Sequence, residues 1–182
     1  MTEKSSVLLY VDAMFGKLGR FLRILGFDTE IADPKLKDPE ILEHILKVNR
    51  ILITRDHLFY EITQKRLKKE NLPEEMVLFL NEEELHQQLH KIFQHIGFKP
   101  EKLLWNNLHD LKFQPRCSLC NSELDVVEKK QILEKLSMGT ATTFNHFWQC
   151  SNLNCNQIYW RGRHWQDIGI ILKKVISADD LS

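Results

Sequence analysis

Two rhythms of apolar residues alternate along the first part of the chain, and each predicts an element. The run SVLLYV, from Ser6 to Val11, reads as a strand; Phe15, Leu18, Leu22 and Leu25 then recur at helical spacing until Gly26 stops the pattern. A short extended piece around Thr29 to Ala32 and a polar loop lead to a helix whose Ile41, Leu42, Ile45, Leu46 and Val48 share one face, with Asp38 and Pro39 as its start. The order repeats: a strand at RILIT (Arg50 to Thr54), a helix from about Asp56 to Lys69, a strand at MVLFL (Met76 to Leu80) and a helix from Glu82 to Ile96. Strands alternating with helices imply an α/β fold, a parallel sheet covered on both faces.

The rhythm breaks near Pro115, and all four cysteines lie beyond it. The chain is therefore expected to divide into a first domain at 1–112 and a second at 113–182, joined by a short linker from Lys112 to Arg116. Its 182 residues, 43% apolar, suit one ordinary domain with a small appendage. With 25 basic against 25 acidic side chains there is no global cationic field, so a nucleic-acid partner needs a local basic stripe. No run approaches the roughly 18 apolar residues that span a bilayer. The opening carries only Val7 to Val11 before Asp12, so neither a membrane anchor nor a secretory signal is expected, and the expected setting is the cytoplasm. In a reducing compartment, paired cysteines are read as metal ligands before disulfides.

Ligands of open parallel sheets bind beyond the carboxyl ends of the strands. Asp12 follows the first strand, Asp56 follows the third after Thr54 and Arg55, and Asp38 opens the helix between them. Carboxylates held about 4 Å apart repel by roughly 4 kcal/mol per pair at an effective dielectric of about 20, a penalty that a divalent cation removes. Oxygen ligation suits Mg²⁺ or Mn²⁺, and phosphodiester hydrolysis is the chemistry such a site performs. Asp38 and Asp56 also have a simpler role as helix caps, whereas Asp12 has no local structural task. Behind Asp12, Lys17, Arg20 and Arg23 recur every three residues away from the helix leucines. Gly16 and Gly19 keep that surface low, so a phosphate backbone can approach; the alternative is a solvated cationic face. Arg55 joins these as a substrate-binding candidate. A Walker A loop is absent, since Val11 and Leu18 stand where it needs glycine and a hydroxyl. His86 and His90 lack the glutamate of a zinc-protease helix.

The segments VDAMFGKLGRFLRILGFDTEI, DPEIL and ILITRD, followed by paired cysteines and IYWRGRHW, resemble the Mut-seven C-terminal RNase family over roughly Leu8 to Trp165. The resemblance implies a PIN-like fold followed by a small C-terminal zinc ribbon, acting as a metal-dependent ribonuclease. By position, Asp12 and Asp56 are its metal-binding acids, Asp38 the third catalytic acid, and Lys17, Arg20 and Arg23 its basic helix. The chain departs at Leu58, where many relatives carry another acid; two metals, one metal or a weakened nuclease are then the alternatives.

Cys117 and Cys120 form a C-x-x-C knuckle, and Cys150 and Cys155 a second pair with four residues between them, twenty-nine residues further on. Four thiolates closing two loops around one Zn²⁺ make a structural site, whose metal supplies much of the folding free energy of so small a unit. The family usually has C-x-x-C at the second pair as well. Phe144, Phe147, Trp148, Tyr159, Trp160 and Trp165 cluster there, interleaved with Arg161, Arg163 and His164. Most of the aromatics are expected in the core. Arg161, Arg163 and His164 are the expected contacts to RNA, with a single strand as the expected form. The competing readings are a non-catalytic RNA-binding module and a platform that docks a protein partner through the ribbon.

Overall fold

The computed structural model describes residues 7–100 and 115–179. The expected boundary at 112/113 and the linker up to residue 114 lie outside the described residues. Four short strands, β1 (Leu8–Val11), β2 (Asp28–Ile31), β3 (Ile51–Thr54) and β4 (Val77–Phe79), form a parallel sheet in the order β2-β1-β3-β4. Between them run α1 (Gly16–Ile24), entered through a 3-10 turn at Ala13–Phe15, then α2 (Asp38–Val48) and α3 (His57–Lys69); α4 (Leu85–His95) follows β4. The last helix starts three residues later than its apolar pattern predicts. Glu82 is spent on the preceding loop, where its carbonyl accepts from Arg55 and Gln88 and its carboxylate pairs with Lys91.

Alternation along the strands sorts the core into two layers. Leu9, Val11, Ile53 and Leu78 point to one face and pack under α1 and α4 with Leu18, Leu22, Leu89, Ile92 and Phe93. Tyr10, Leu52 and Val77 point to the other, under α2 and α3 with Ile41, Leu42, Ile45, Phe59 and Leu67. Both faces are thus covered, as a period of two in each strand and 3.6 in each helix requires. Gly19 faces inward: a Cβ there would lie 2.7 Å from side-chain carbons of Val11 and Ile31, so glycine lets α1 press onto the sheet. The expectation that Gly19 lowers the outer surface is corrected by this packing; Gly16, by contrast, meets nothing within 4 Å.

The remaining residues form an antiparallel sheet, β5 (Leu124–Val127), β6 (Phe147–Cys150) and β7 (Ile158–Trp160), in sequence order, with short helices α5 (Lys129–Ile132) and α6 (Met138–Thr143) between its first two strands. The chain then enters α7 (His164–Asp179). Ile168, Leu172 and Val175 of α7 join the core layer of α1 and α4, so this helix, although beyond the cysteines, completes the burial of the parallel sheet. Among the described residues, no helix is long and apolar enough to cross a membrane.

Candidate active site and cysteine cluster

In the order β2-β1-β3-β4 the chain leaves β1 for one side of the sheet and later returns to the other, which makes the β1/β3 crevice the switch point where open sheets bind ligands. Asp12 stands at the end of β1, its N–H donating to the Ile53 carbonyl at 3.0 Å, so it lies beside the end of β3. Thr54, fully buried at that end, donates its hydroxyl proton to Asp12 Oδ2 at 2.9 Å and accepts the Asp56 N–H at 3.0 Å. One hydroxyl therefore ties two of the predicted acids across the crevice. Asp56 also caps α3, its Oδ1 accepting from the Phe59 N–H at 2.9 Å. Asp38 is no cap: it is the first residue inside α2, after Lys37, whose N–H is taken instead by Glu40 at 2.9 Å.

The field at this rim is negative. Burial pushes the Asp38 carboxyl above its ordinary range, and the charges on Asp56 and Asp12 add to the effect. The Tyr10 phenol is pushed up to about 12 by burial and then by Glu30, Asp12 and Asp33. Asp33, just past β2, is an acid that the sequence reading missed, as it missed Thr54. The signals were present in an acid two residues beyond a strand and in the Thr of ILITRD. Among the described residues no lysine or arginine forms an ion pair with Asp12, Asp38 or Asp56, whereas Glu82 at the end of β4 is paired with Lys91 at 2.8 Å. The aspartates share a rim without forming a closed ligand cage. Among the described residues, the cysteines alone bring three or more ligand atoms within 4.8 Å of one another.

Lys17 and Arg20 are exposed and line a shallow groove of about 420 Å³ with Gly16, Phe21 and Ile24. Arg23 is not part of it. It is 6% exposed, and its guanidinium donates to the carbonyls of Thr29 (2.7 Å), Ser118 (3.1 Å) and Leu119 (2.9 Å). A three-residue step falls about 60° short of a full turn, so from Lys17 to Arg23 the stripe rotates by about 120° and its last member turns inward. Its expected role in holding substrate is corrected accordingly. Arg55 is half-buried, donating to the Glu82 carbonyl at 2.6 Å with its guanidinium 5.5 Å from the Phe15 ring centre.

Cys117 and Cys155 sulfurs lie 3.7 Å apart, and those of Cys120 and Cys150 3.3 Å apart, all four as free thiols. A tetrahedron with Zn–S bonds near 2.3 Å has S···S edges of about 3.8 Å, so the set fits a metal such as zinc. Burial raises the Cys150 and Cys155 thiols, and their thiol neighbours add to this; at Cys120 burial also acts upward, but hydrogen bonds with Ser122, Cys150 and Cys117 together bring it to about 6. The longer second loop is absorbed by Asn152, whose carbonyl accepts from Cys155 and Asn156 and whose side chain accepts from Asn154. Both loops end on an asparagine in the left-handed region, Asn121 (φ 69°) and Asn156 (φ 53°). Asn121 does more. Its side chain accepts the Thr29 N–H at 3.2 Å and donates to Asp28 at 2.9 Å, so the first knuckle covers the open edge of β2.

Phe147 and Trp148 are core residues, and Trp160 is 37% exposed. Arg161 lies between two indoles, 5.1 Å from the Trp148 ring centre and 5.5 Å from that of Trp165, and burial lowers its pKa. Arg163 and His164, at the start of α7, are exposed.

A parallel sheet with aspartates at its switch point that form no ion pair among the described residues, joined to a separate four-thiol centre, defines the class as an α/β protein with two distinct polar centres. The family model described as the Mut7-C RNAse domain matches residues 8–172, and the chain belongs to this family. Its description points to a ribonuclease-like function. Comparison with curated proteins returned no match.

Proposed function

We propose that the protein is a metal-dependent ribonuclease that hydrolyses RNA phosphodiester bonds at the β1/β3 crevice. In this reading its first part is a PIN-like domain and its cysteine-bearing part a zinc ribbon, at work in a reducing compartment such as the cytoplasm. The observation that carries the proposal is that Asp12 and Asp56 follow the two strands that border the switch point and have, like Asp38, no basic partner among the described residues, while burial first, and then the charges on Asp56 and Asp12, raise the Asp38 carboxyl above its ordinary pKa. An all-oxygen set carrying surplus negative charge fits Mg²⁺ or Mn²⁺, which takes one or two protein carboxylates and fills its other positions with water and phosphate.

Asp12 and Asp56 would hold that cation, with Thr54 fixing the Asp12 carboxylate. The bound metal supplies charge neutralisation at the phosphoryl oxygens and a lowered pKa for water. Asp38 would take the proton of the attacking water, a task suited to a carboxyl whose pKa is raised above its ordinary value. Water oxygen would bond to phosphorus as one of its protons passes to Asp38, the bond from phosphorus to the leaving oxygen would break, and the leaving oxygen would take a proton from solvent as Asp38 returns its own to solvent. Lys17 and Arg20 would hold the strand by its phosphates, and Arg55, pinned on the Glu82 carbonyl, would add fixed positive charge. At the cysteines, zinc would be structural, since all four of its positions are taken by thiolates.

The test is cleavage of single-stranded and structured RNA by the purified protein as Mg²⁺ or Mn²⁺ is titrated, with Asp12→Asn alongside. Loss of about 100-fold or more in rate, with RNA affinity kept, is expected. A wild-type protein that binds RNA in a salt-sensitive way but never cuts it would favour the non-catalytic reading, to which the exposed Leu58 in place of an acid lends its one specific argument.

A further inference from the structure

The groove along α1 does not end at Ile24. The same residue lines a second, more enclosed cavity of about 230 Å³ between α1, the β6/β7 hairpin and the start of α7. Its walls include Trp148, Trp160, Trp165 and Tyr159, with Arg161 and His164 among them, and among the described residues no acidic one lines it. The Arg161 guanidinium is already stacked between two indoles, so it presents a fixed charge rather than a mobile one. Trp160 is partly open to solvent and lies over Gly162, where a Cβ would sit 3.1 Å from the indole nitrogen.

We infer that this cavity receives one unpaired base of an RNA strand whose phosphates run along Lys17 and Arg20, so that the bond presented to the acidic crevice is set by a base seated in the cysteine-bearing part. Three observations carry it. Planar aromatic walls accept any base by stacking, and the volume lies below the roughly 300–1,000 Å³ of drug-sized sites, which suits a single ring system. The lining charges are basic, which suits an anionic strand and opposes a basic peptide. The cavity also adjoins the cationic groove, since Ile24 lines both: from Gly16 to Ile24 the helix rises about 12 Å, a span of a few nucleotides. The inference deepens the ribonuclease reading and rests on it for the direction of the strand.

The experiment uses full-length Asp12→Asn protein and a set of short single-stranded RNAs, each lacking the base at one position, with affinity read by fluorescence anisotropy. Removal of the base at one position is expected to weaken binding about 10-fold or more, and removal elsewhere by no more than about 2-fold. Trp160→Ala should weaken the intact strand to a similar degree and erase the positional effect, while Trp160→Phe keeps it. Equal affinity for every abasic strand, or no response to Trp160→Ala, would overturn the inference. A clear positional effect in a protein whose wild type cuts no RNA would remove the nuclease reading and leave the pocket standing. Cleavage without any positional effect would do the reverse.

Discussion

Asp38 begins a helix without capping it, carries no basic partner among the described residues, and has its charged form disfavoured by partial burial first and then by the charges on Asp56 and Asp12; such a side chain costs stability in the absence of a cation. Its raised pKa fixes the sign of a measurable effect. Between the unfolded value, about 3.9, and the higher folded value, the native state binds more protons than the unfolded chain, so stability falls as pH rises through that window. Below it the penalty vanishes. Asp38→Asn should therefore raise the thermal midpoint at neutral pH in metal-free buffer, leave it unchanged near pH 3.5, and lower the cleavage rate. The measurement is the difference between wild-type and variant melting curves across that range, which cancels the titration of the cysteines. Parallel curves would show that the three acids do not act on one another. Thr54 belongs to the same scale: a strand-end threonine is ordinarily a packing residue, yet its hydroxyl here orders Asp12 and Asp56 at once.

At the scale of elements, the α1 helix divides its basic residues between two tasks. Lys17 and Arg20 face the groove; Arg23 reaches into the cysteine knuckle and donates to three carbonyls. Lysine carries a single ammonium and cannot span three acceptors in the plane that guanidinium does. Arg23→Lys should cost about 2–4 kcal/mol in chemical unfolding while the salt dependence of RNA binding stays as in the wild type. A stable Arg23→Lys protein with a reduced salt slope would return Arg23 to the phosphate-binding face. This pair of outcomes also marks what the sequence made legible. The strand and helix rhythm located β1 through α4 closely, because burial on two faces leaves a strong periodic trace. The acids at strand ends were legible for the same reason. Arg23 and Gly19 were not, because a spacing of three reads as one stripe in a list but winds around a helix, and only packing decides which member turns inward. Asn121 left no trace either, since its partners lie 92 and 93 residues away.

For the molecule as a whole, the two centres are mechanically joined, and the joint is the edge of β2. There Thr29 gives its carbonyl to Arg23 and its N–H to Asn121, while Asp28 pairs with Arg50 and Arg116 at 2.8 and 3.1 Å. Those contacts, with the Asn121 bond, outweigh burial and hold the Asp28 carboxyl below its usual range, so the joint is closed at neutral pH. Three of the partners, Arg116, Asn121 and the Ser118–Leu119 carbonyls, belong to the first cysteine loop, whose thiols are part of the cluster that could hold a metal ion; in the proposed reading that ion fixes the loop's shape. Chelating that metal should therefore open the sheet at a defined place. In hydrogen exchange, the Thr29 amide is expected to lose protection on treatment with a strong chelator, while amides of central β3, Leu52 and Ile53, keep theirs. The core they sit in is made by α1 to α4 and by α7, whose Ile168, Leu172 and Val175 are anchored away from the thiols. Protection at Thr29 that survives complete metal removal would mean that the knuckle holds its shape without an ion. A uniform collapse of all amides would mean instead that the parallel sheet cannot stand without the cysteine-bearing part, and that the two centres fold as one.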